Sequence, residues 1–234
     1  MRRSRKSSGR FGPVGIVPDI HIPKEDPAAI RWALQSLRKA GVRKLVLLGD
    51  VVCLDSLSRF LKSLKTAAQL PDELKVGRRF FAMVDRMFDN AQITLLLGNH
   101  EERLSKYLLK HAPALSDLPE LSFPALFRVP KRWRVLKYGD FIMEQGVLLQ
   151  HGKKWGRATC RGNLLLGCSS VQGHSHRVNI VHHRAANGRV ITAAELGCLC
   201  QMDQGYASLV DWTQAFGILA ERKIHIITPD GTFT

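Results

Sequence analysis

The sequence predicts an α/β protein, on three observations. Apolar runs over residues 45–48, 93–97 (with Thr94 the one polar residue) and 147–149 are too short for helices and lack alternation, as strands buried on both faces do. The first run is preceded by a strand pattern and a helix pattern, the order a parallel crossover requires. Each run ends in residues able to bind metal or move a proton: Gly49-Asp50, Gly98-Asn99-His100-Glu101 and Gln150-His151-Gly152. In open α/β sheets ligands gather outside the carboxyl ends of strands, where these residues fall.

In chain order, residues 14–17 form the first strand and lead into Asp19-Ile20-His21. Alternate residues of an extended segment point the same way, so Asp19 and His21 can share one ion. Asp26-Pro27 reads as an N-cap with proline in the first turn, and Ile30, Ala33, Leu34 and Leu37 recur at helical spacing. Arg38, Lys39 and Gly41 suit the end of that helix. Residues 55–65 and 72–88 are expected to be helices. Residues 101–110 are expected to form an amphipathic third, with Leu104, Tyr107 and Leu108 inward and Glu102, Arg103 and Lys106 outward. Residues 112–130 hold four prolines and read as a loop or small cap over one sheet edge.

The second half is strand-rich. Residues 134–138 and 141–144 are expected to make a hairpin about Gly139-Asp140, and 156–167 a helix. Residues 171–172 precede Gly173-His174-Ser175-His176. Strands at 178–184 and 189–194 flank Asn187-Gly188, a type I′ turn signal. Strands at 206–210, 216–220 and 223–227 complete the chain.

Of 234 residues, 45% are hydrophobic and 24% charged, an ordinary globular balance that suits one domain over residues 13–234 behind a basic tail at 1–12. The formal charge of +15 favours polyanionic partners, nucleic acid or phosphorylated substrates. Arg2, Arg3, Arg5, Lys6 and Arg10 supply part of it, and the body stays strongly basic without them. No stretch has the length of a membrane span, no apolar segment follows the basic start, and five cysteines form no paired framework. A reducing, cytoplasmic location is expected, with Cys198 and Cys200 as buried thiols.

Asp19, His21, Asp50, Asn99, His151, His174 and His176 thus offer three oxygen donors and four imidazoles at strand ends. A mixed N/O set suits Mn, Fe, Zn, Co or Ni better than Ca or Mg, and seven donors suit a pair of ions. In that order the motifs resemble the calcineurin-like metallophosphoesterase superfamily. Leu57-Ser58-Arg59-Phe60 and the stretch from Asp211 to Gly217 further resemble its phage and prophage members.

The resemblance implies an α/β/β/α sandwich of two mixed sheets and two divalent ions. It implies that Asp19, His21 and His176 hold one ion, Asn99, His151 and His174 the other, and that Asp50 bridges them. A hydroxide between the ions then attacks phosphorus in line, His100 acts at the leaving group and Glu101 orients His100. The Ser/Thr protein phosphatase branch has arginines that clamp phosphate, where this chain has Cys53-Leu54-Asp55 and Leu97. Cys53 also replaces an acidic residue common in relatives.

Lys153, Lys154, Arg157 and Arg177, next to the histidine motifs in sequence, are the expected substrate contacts. The leading expectation is a phosphodiesterase acting on nucleic acid. The alternatives are an enzyme for a small nucleotide or phosphomonoester, and a nucleic-acid-binding protein with an idle site.

Overall fold

The structure is a computed structural model that describes residues 11–59, 69–154, 156, 159–202 and 211–234. Strand β1 (Val14–Val17) is followed by helix α1 (Pro27–Lys39) and strand β2 (Lys44–Leu47), which pairs parallel with β1. The sequence signals set α1 directly. Asp26 Oδ1 accepts the Ala28 and Ala29 amides at 2.8 and 3.1 Å, and Ile30, Ala33, Leu34 and Leu37 form the buried face. Helix α2 (Leu70–Met87) and strand β3 (Gln92–Leu96) extend the parallel sheet, and helix α3 (Glu102–His111) leaves its far end.

Strand β4 (Arg134–Leu136) joins β3, also parallel, at the edge of this sheet. Strands β5 (Phe141–Glu144), β6 (Val147–Gln150), β7 (Ser169–Gln172), β8 (Val178–Arg184) and β9 (Val190–Leu196) build a second sheet in the order β5-β6-β7-β9-β8. Strands β10 (Phe216–Ala220), β11 (Lys223–Thr228) and β12 (Gly231–Phe233) return to the first, whose order is β12-β11-β10-β1-β2-β3-β4.

Strand β2 and Leu48 show why the apolar run is continuous. Leu45 and Leu47 pack with Leu34, Leu37, Phe81 and Val84 under the helices, whereas Val46 and Leu48 pack with Leu149, Val171 and Leu196 between the sheets. The pleat sends alternate side chains to two cores. Helix α4 (Phe123–Leu126) belongs to the segment expected as a cap. It sets Phe123 and Phe127 against Phe81 in the core. Helix α5 (Thr159–Asn163) packs on β8 and β9, giving the α/β/β/α sandwich.

The expected hairpin over 134–144 does not form. Its first half pairs with β3 and its second with β6, so Gly139-Asp140 carries the chain between the sheets. A local turn serves either purpose, and the partner strands decide. The hairpin about Asn187-Gly188 does form, from β8 and β9. Of the helix expected at 55–65, the described part holds a 3₁₀ turn, Asp55–Leu57, closed by the Ser58 amide, and residues 60–68 lie outside the described residues. So do the strand expected at 206–210 and most of the basic tail. Among the described residues no helix is long and apolar enough to cross a membrane.

Glu73 on α2 is buried beneath the Asp55 turn, where it accepts from the Asp55 amide at 3.3 Å and Ser56 Oγ at 3.5 Å. Burial pushes its carboxyl from 4.5 up to about 7. The folded state then binds the proton more tightly than the unfolded chain, and stability falls as pH rises through that interval. Glu73→Gln is expected to flatten this part of the profile and to add about 1–3 kcal/mol at pH 8. Urea unfolding at pH 5 and pH 8 measures it, and an unchanged pH dependence contradicts the assignment.

Candidate metal centre

Five strands deliver the site residues from their carboxyl ends: β1 to Asp19 and His21, β2 to Asp50, β3 to Asn99 and His100, β6 to His151, and β7 to His174 and His176. Four of them occupy left-handed backbone conformations, His21 at φ 59°, Asp50 at 47°, His174 at 69° and His176 at 60°. Non-glycine residues seldom adopt this region, and they persist there only when their surroundings over-determine them. Two glycines make room for the carboxylates. A Cβ on Gly98 would collide with Asp50 Oδ1, and one on Gly173 with Asp19 Oδ2.

Two groups of donors result. Ligand atoms of Asp19, His21 and His176 lie within 4.8 Å of one another, as do those of Asp50, His151 and His174. Asp50 Oδ2 stands between the groups, 3.9 Å from His21 Nε2 and 3.4 Å from His151 Nε2. Asn99 Oδ1 is 3.0 Å from His151 Nε2, and Asp19 Oδ1 is 3.5 Å from His176 Nε2. The seven residues read from the sequence are therefore brought together. Both aspartates are buried.

The donors fit divalent cations. His21 Nε2 and His176 Nε2 face each other at 3.0 Å, so at least one presents a lone pair. His151 Nδ1 donates to the Leu48 carbonyl at 2.7 Å, which leaves Nε2 as its ligand atom. Burial opposes ionisation of Asp50, but His100, His151 and His21 outweigh it and hold the carboxyl well below its usual range. Burial, with the His100 and His176 imidazoles, holds His21 well below the ordinary value. Burial works against a charge on His151 too, yet Asp50 prevails and pushes it up to about 9.

Asp50 favours a proton on His151, and a cation that binds Nε2 is expected to displace it. Manganese titrations in two buffers of different ionisation enthalpy are expected to register about one proton released per chain at pH 7.5. Apparent affinity is expected to climb with pH up to about 9. A binding enthalpy independent of buffer contradicts this.

Glu101 has a different job from the one expected. Its carboxylate does not bond His100. Oε2 accepts the amides of Asp50 at 2.9 Å and Gly98 at 2.7 Å, and Oε1 accepts those of Val51 at 2.7 Å and Val52 at 3.0 Å. Glu101 thus ties the loop after β2 to the loop after β3, and so places Asp50 beside Asn99.

His100 is oriented instead by Cys53 and Arg103. Its Nδ1 donates to the Cys53 carbonyl at 2.9 Å, and Arg103 Nη2 lies 3.2 Å from its Nε2. Arg103, expected to face solvent, turns inward. Its Nη1 donates to the Cys53 carbonyl at 2.8 Å and to Asp55 Oδ1 at 2.5 Å. The three-residue offset from His100 was the available sign, since such residues are neighbours on a helix. The Cys53 thiol donates to the His21 carbonyl at 3.2 Å and lies 3.6 Å from His21 Nδ1. Cys53 therefore lies against His21, and the amides of His100 and Glu101's partners do the work of fixing Asp50: the His100 amide donates to Asp50 Oδ1 at 2.9 Å.

The residues expected from sequence adjacency as substrate contacts have the following surroundings. Lys153 Nζ lies 5.7 Å from the centroid of Tyr138, whose ring is 6.0 Å from that of His151. Lys154 is exposed and offers its carbonyl to Gln172 Nε2 at 3.3 Å. Arg177 pairs with Asp211 at 2.7 Å, and Arg157 lies outside the described residues. Trp212, in the second phage-like stretch, packs edge-on against His176 at 4.4 Å between centroids.

The model of the calcineurin-like phosphoesterase family matches residues 12–191. The chain is similar to the Gene 54 protein of Mycobacterium phage D29, 26% identical over 229 residues that make up 90% of this chain and 89% of the relative. It is similar to the Gene 54 protein of Mycobacterium phage L5, 24% identical over 234 residues with the same shares covered. Among solved structures it resembles YfcE, a phosphoesterase from E. coli, with 16% identity, 94% of each chain covered and a TM-score of 0.48. The family match extends over the strands and loops that carry the two donor groups, and the chain belongs to the calcineurin-like phosphoesterase family of metal-dependent phosphoester hydrolases.

Proposed function

We propose that this chain is a phosphodiesterase acting on nucleic acid, with manganese as the first ion to test. Asp19, His21 and His176 would hold one cation and Asn99, His151 and His174 the other, with Asp50 available to both. When bound, the ions supply Lewis-acid neutralisation of the phosphoryl oxygens and a water activated for in-line attack.

The protein's own part is placement and proton transfer. The Cys53 carbonyl fixes the His100 ring through Nδ1, leaving Nε2 for the leaving-group oxygen. Burial, and after it the Arg103 guanidinium beside Nε2, hold the imidazole below its ordinary value, so a proton that His100 carries on Nε2 passes readily to that oxygen.

The observation that carries the diester reading is that leucines occupy positions 54 and 97. Leu54 and Leu97 stand where the resemblance places the phosphate-clamping arginines of a protein phosphatase, and Arg103, which reaches His100, shares Asp55 with Lys24. A phosphomonoester dianion needs fixed positive charge beyond the ions, whereas a diester carries one negative charge. The +15 formal charge supports a polyanionic substrate.

The test is turnover of bis-p-nitrophenyl phosphate, p-nitrophenyl phosphate, cyclic nucleotides, and single- and double-stranded DNA and RNA with Mn, for the wild type and Asn99→Ala. Diester and polynucleotide cleavage lost in Asn99→Ala is the expected result. Turnover of monoesters alone overturns the reading, as does nucleic-acid binding with no hydrolysis.

A further inference from the structure

A cleft of about 490 Å³ opens beside the metal centre, with Asn99 at its inner end. One wall is the turn Leu57, Ser58 and Arg59, part of the first phage-like stretch. The other is the outer face of α3, with Arg103, Lys106, Tyr107 and Lys110. These four recur at i, i+3, i+4 and i+7, so they form one stripe roughly 10 Å long.

Its chemistry is that of a polynucleotide seat. Lys106 and Lys110 are exposed; Glu102 pairs with Lys106, and among the described residues no acid pairs with Lys110. Between the lysines stands Tyr107, 39% exposed, with its ring 4.6 Å from that of His111 and tilted by 37°. An aromatic face framed by cations is how proteins hold unpaired bases without regard to sequence. A cleft of this volume admits a nucleotide.

We propose that this cleft seats the unpaired strand on one side of the scissile phosphate, its backbone along Lys106 and Lys110 and a base on Tyr107. The proposal rests on the nucleic-acid reading above, and it makes single-stranded polynucleotide, DNA or RNA, the preferred substrate.

The experiment is fluorescence anisotropy of labelled 12-nucleotide single-stranded DNA and RNA and of the matching duplex, with the full chain in EDTA so that nothing turns over. K106Q/K110Q and Y107A are compared with the wild type and with K39Q/K131Q, which removes equal charge elsewhere on the surface. The expected result is single-strand binding at least tenfold weaker in K106Q/K110Q than in K39Q/K131Q. Its slope of log affinity against log salt should be shallower by about 1.4, from two lost phosphate contacts. Y107A should weaken binding with no change in that slope.

Equal binding by the two double variants overturns the proposal. So does duplex that binds as tightly as single strand and is equally sensitive to K106Q/K110Q. Preference between DNA and RNA identifies which strand is held. Because this readout needs no hydrolysis, its failure is separable from failure of the diesterase assay.

Discussion

Asp50→Asn is expected to lower kcat/KM by about 10³-fold or more, the largest loss of any single substitution at the site. The amide is isosteric and keeps an oxygen for the His100 N–H, so the loop need not move. What disappears is the negative charge that faces His21, His100 and His151 at 3.4 to 3.9 Å. Two cations flanked by imidazoles need that charge between them, and metal content should drop to one ion or fewer per chain. His151 should also lose the partner that pushes it up to about 9, so proton release on titration with manganese should shrink. Elemental analysis and kinetics on bis-p-nitrophenyl phosphate measure both effects. Retention of two ions with near wild-type rates would place the bridge elsewhere.

Glu101→Gln is expected to cost about 3–5 kcal/mol of stability and at least 10²-fold in kcat/KM, although Glu101 touches no proposed ligand side chain. Four backbone amides converge on its two oxygens. Glutamine offers one oxygen and one NH₂, so in either orientation two buried N–H donors meet another donor. The Asp50 and Gly98 amides, or those of Val51 and Val52, are left unsatisfied, and the two loops separate. Urea unfolding and manganese affinity test this together. A variant within 1 kcal/mol of wild type that still binds two ions would mean that another group joins the loops.

The metal centre was legible because its code is local. An apolar strand stops, a glycine permits a sharp turn, and a donor follows, as at Gly49-Asp50, Gly98-Asn99 and Gly173-His174. Which side the lysines and arginines face was not local. Lys153 and Arg177 are near the histidines in sequence and point to Tyr138 and Asp211, whereas Arg103 and Lys110 reach the cleft through the rotation of α3. His111, exposed and four residues beyond Tyr107, lines the cleft as well. The role of Glu101 depends on β2 and β3 pairing side by side, a contact across 51 positions for Asp50 that adjacency to His100 conceals. The crossing at Gly139-Asp140 has the turn chemistry of a hairpin, and only the capacity of β3 and β6 to accept separate partners tells the two apart.

Anomalous diffraction from crystals soaked in manganese tests the central claim most directly. The account predicts two peaks, one among Asp19, His21 and His176 and one among Asn99, His151 and His174, with Asp50 Oδ2 between them. A single peak away from Asp50, or none at saturating manganese, contradicts it.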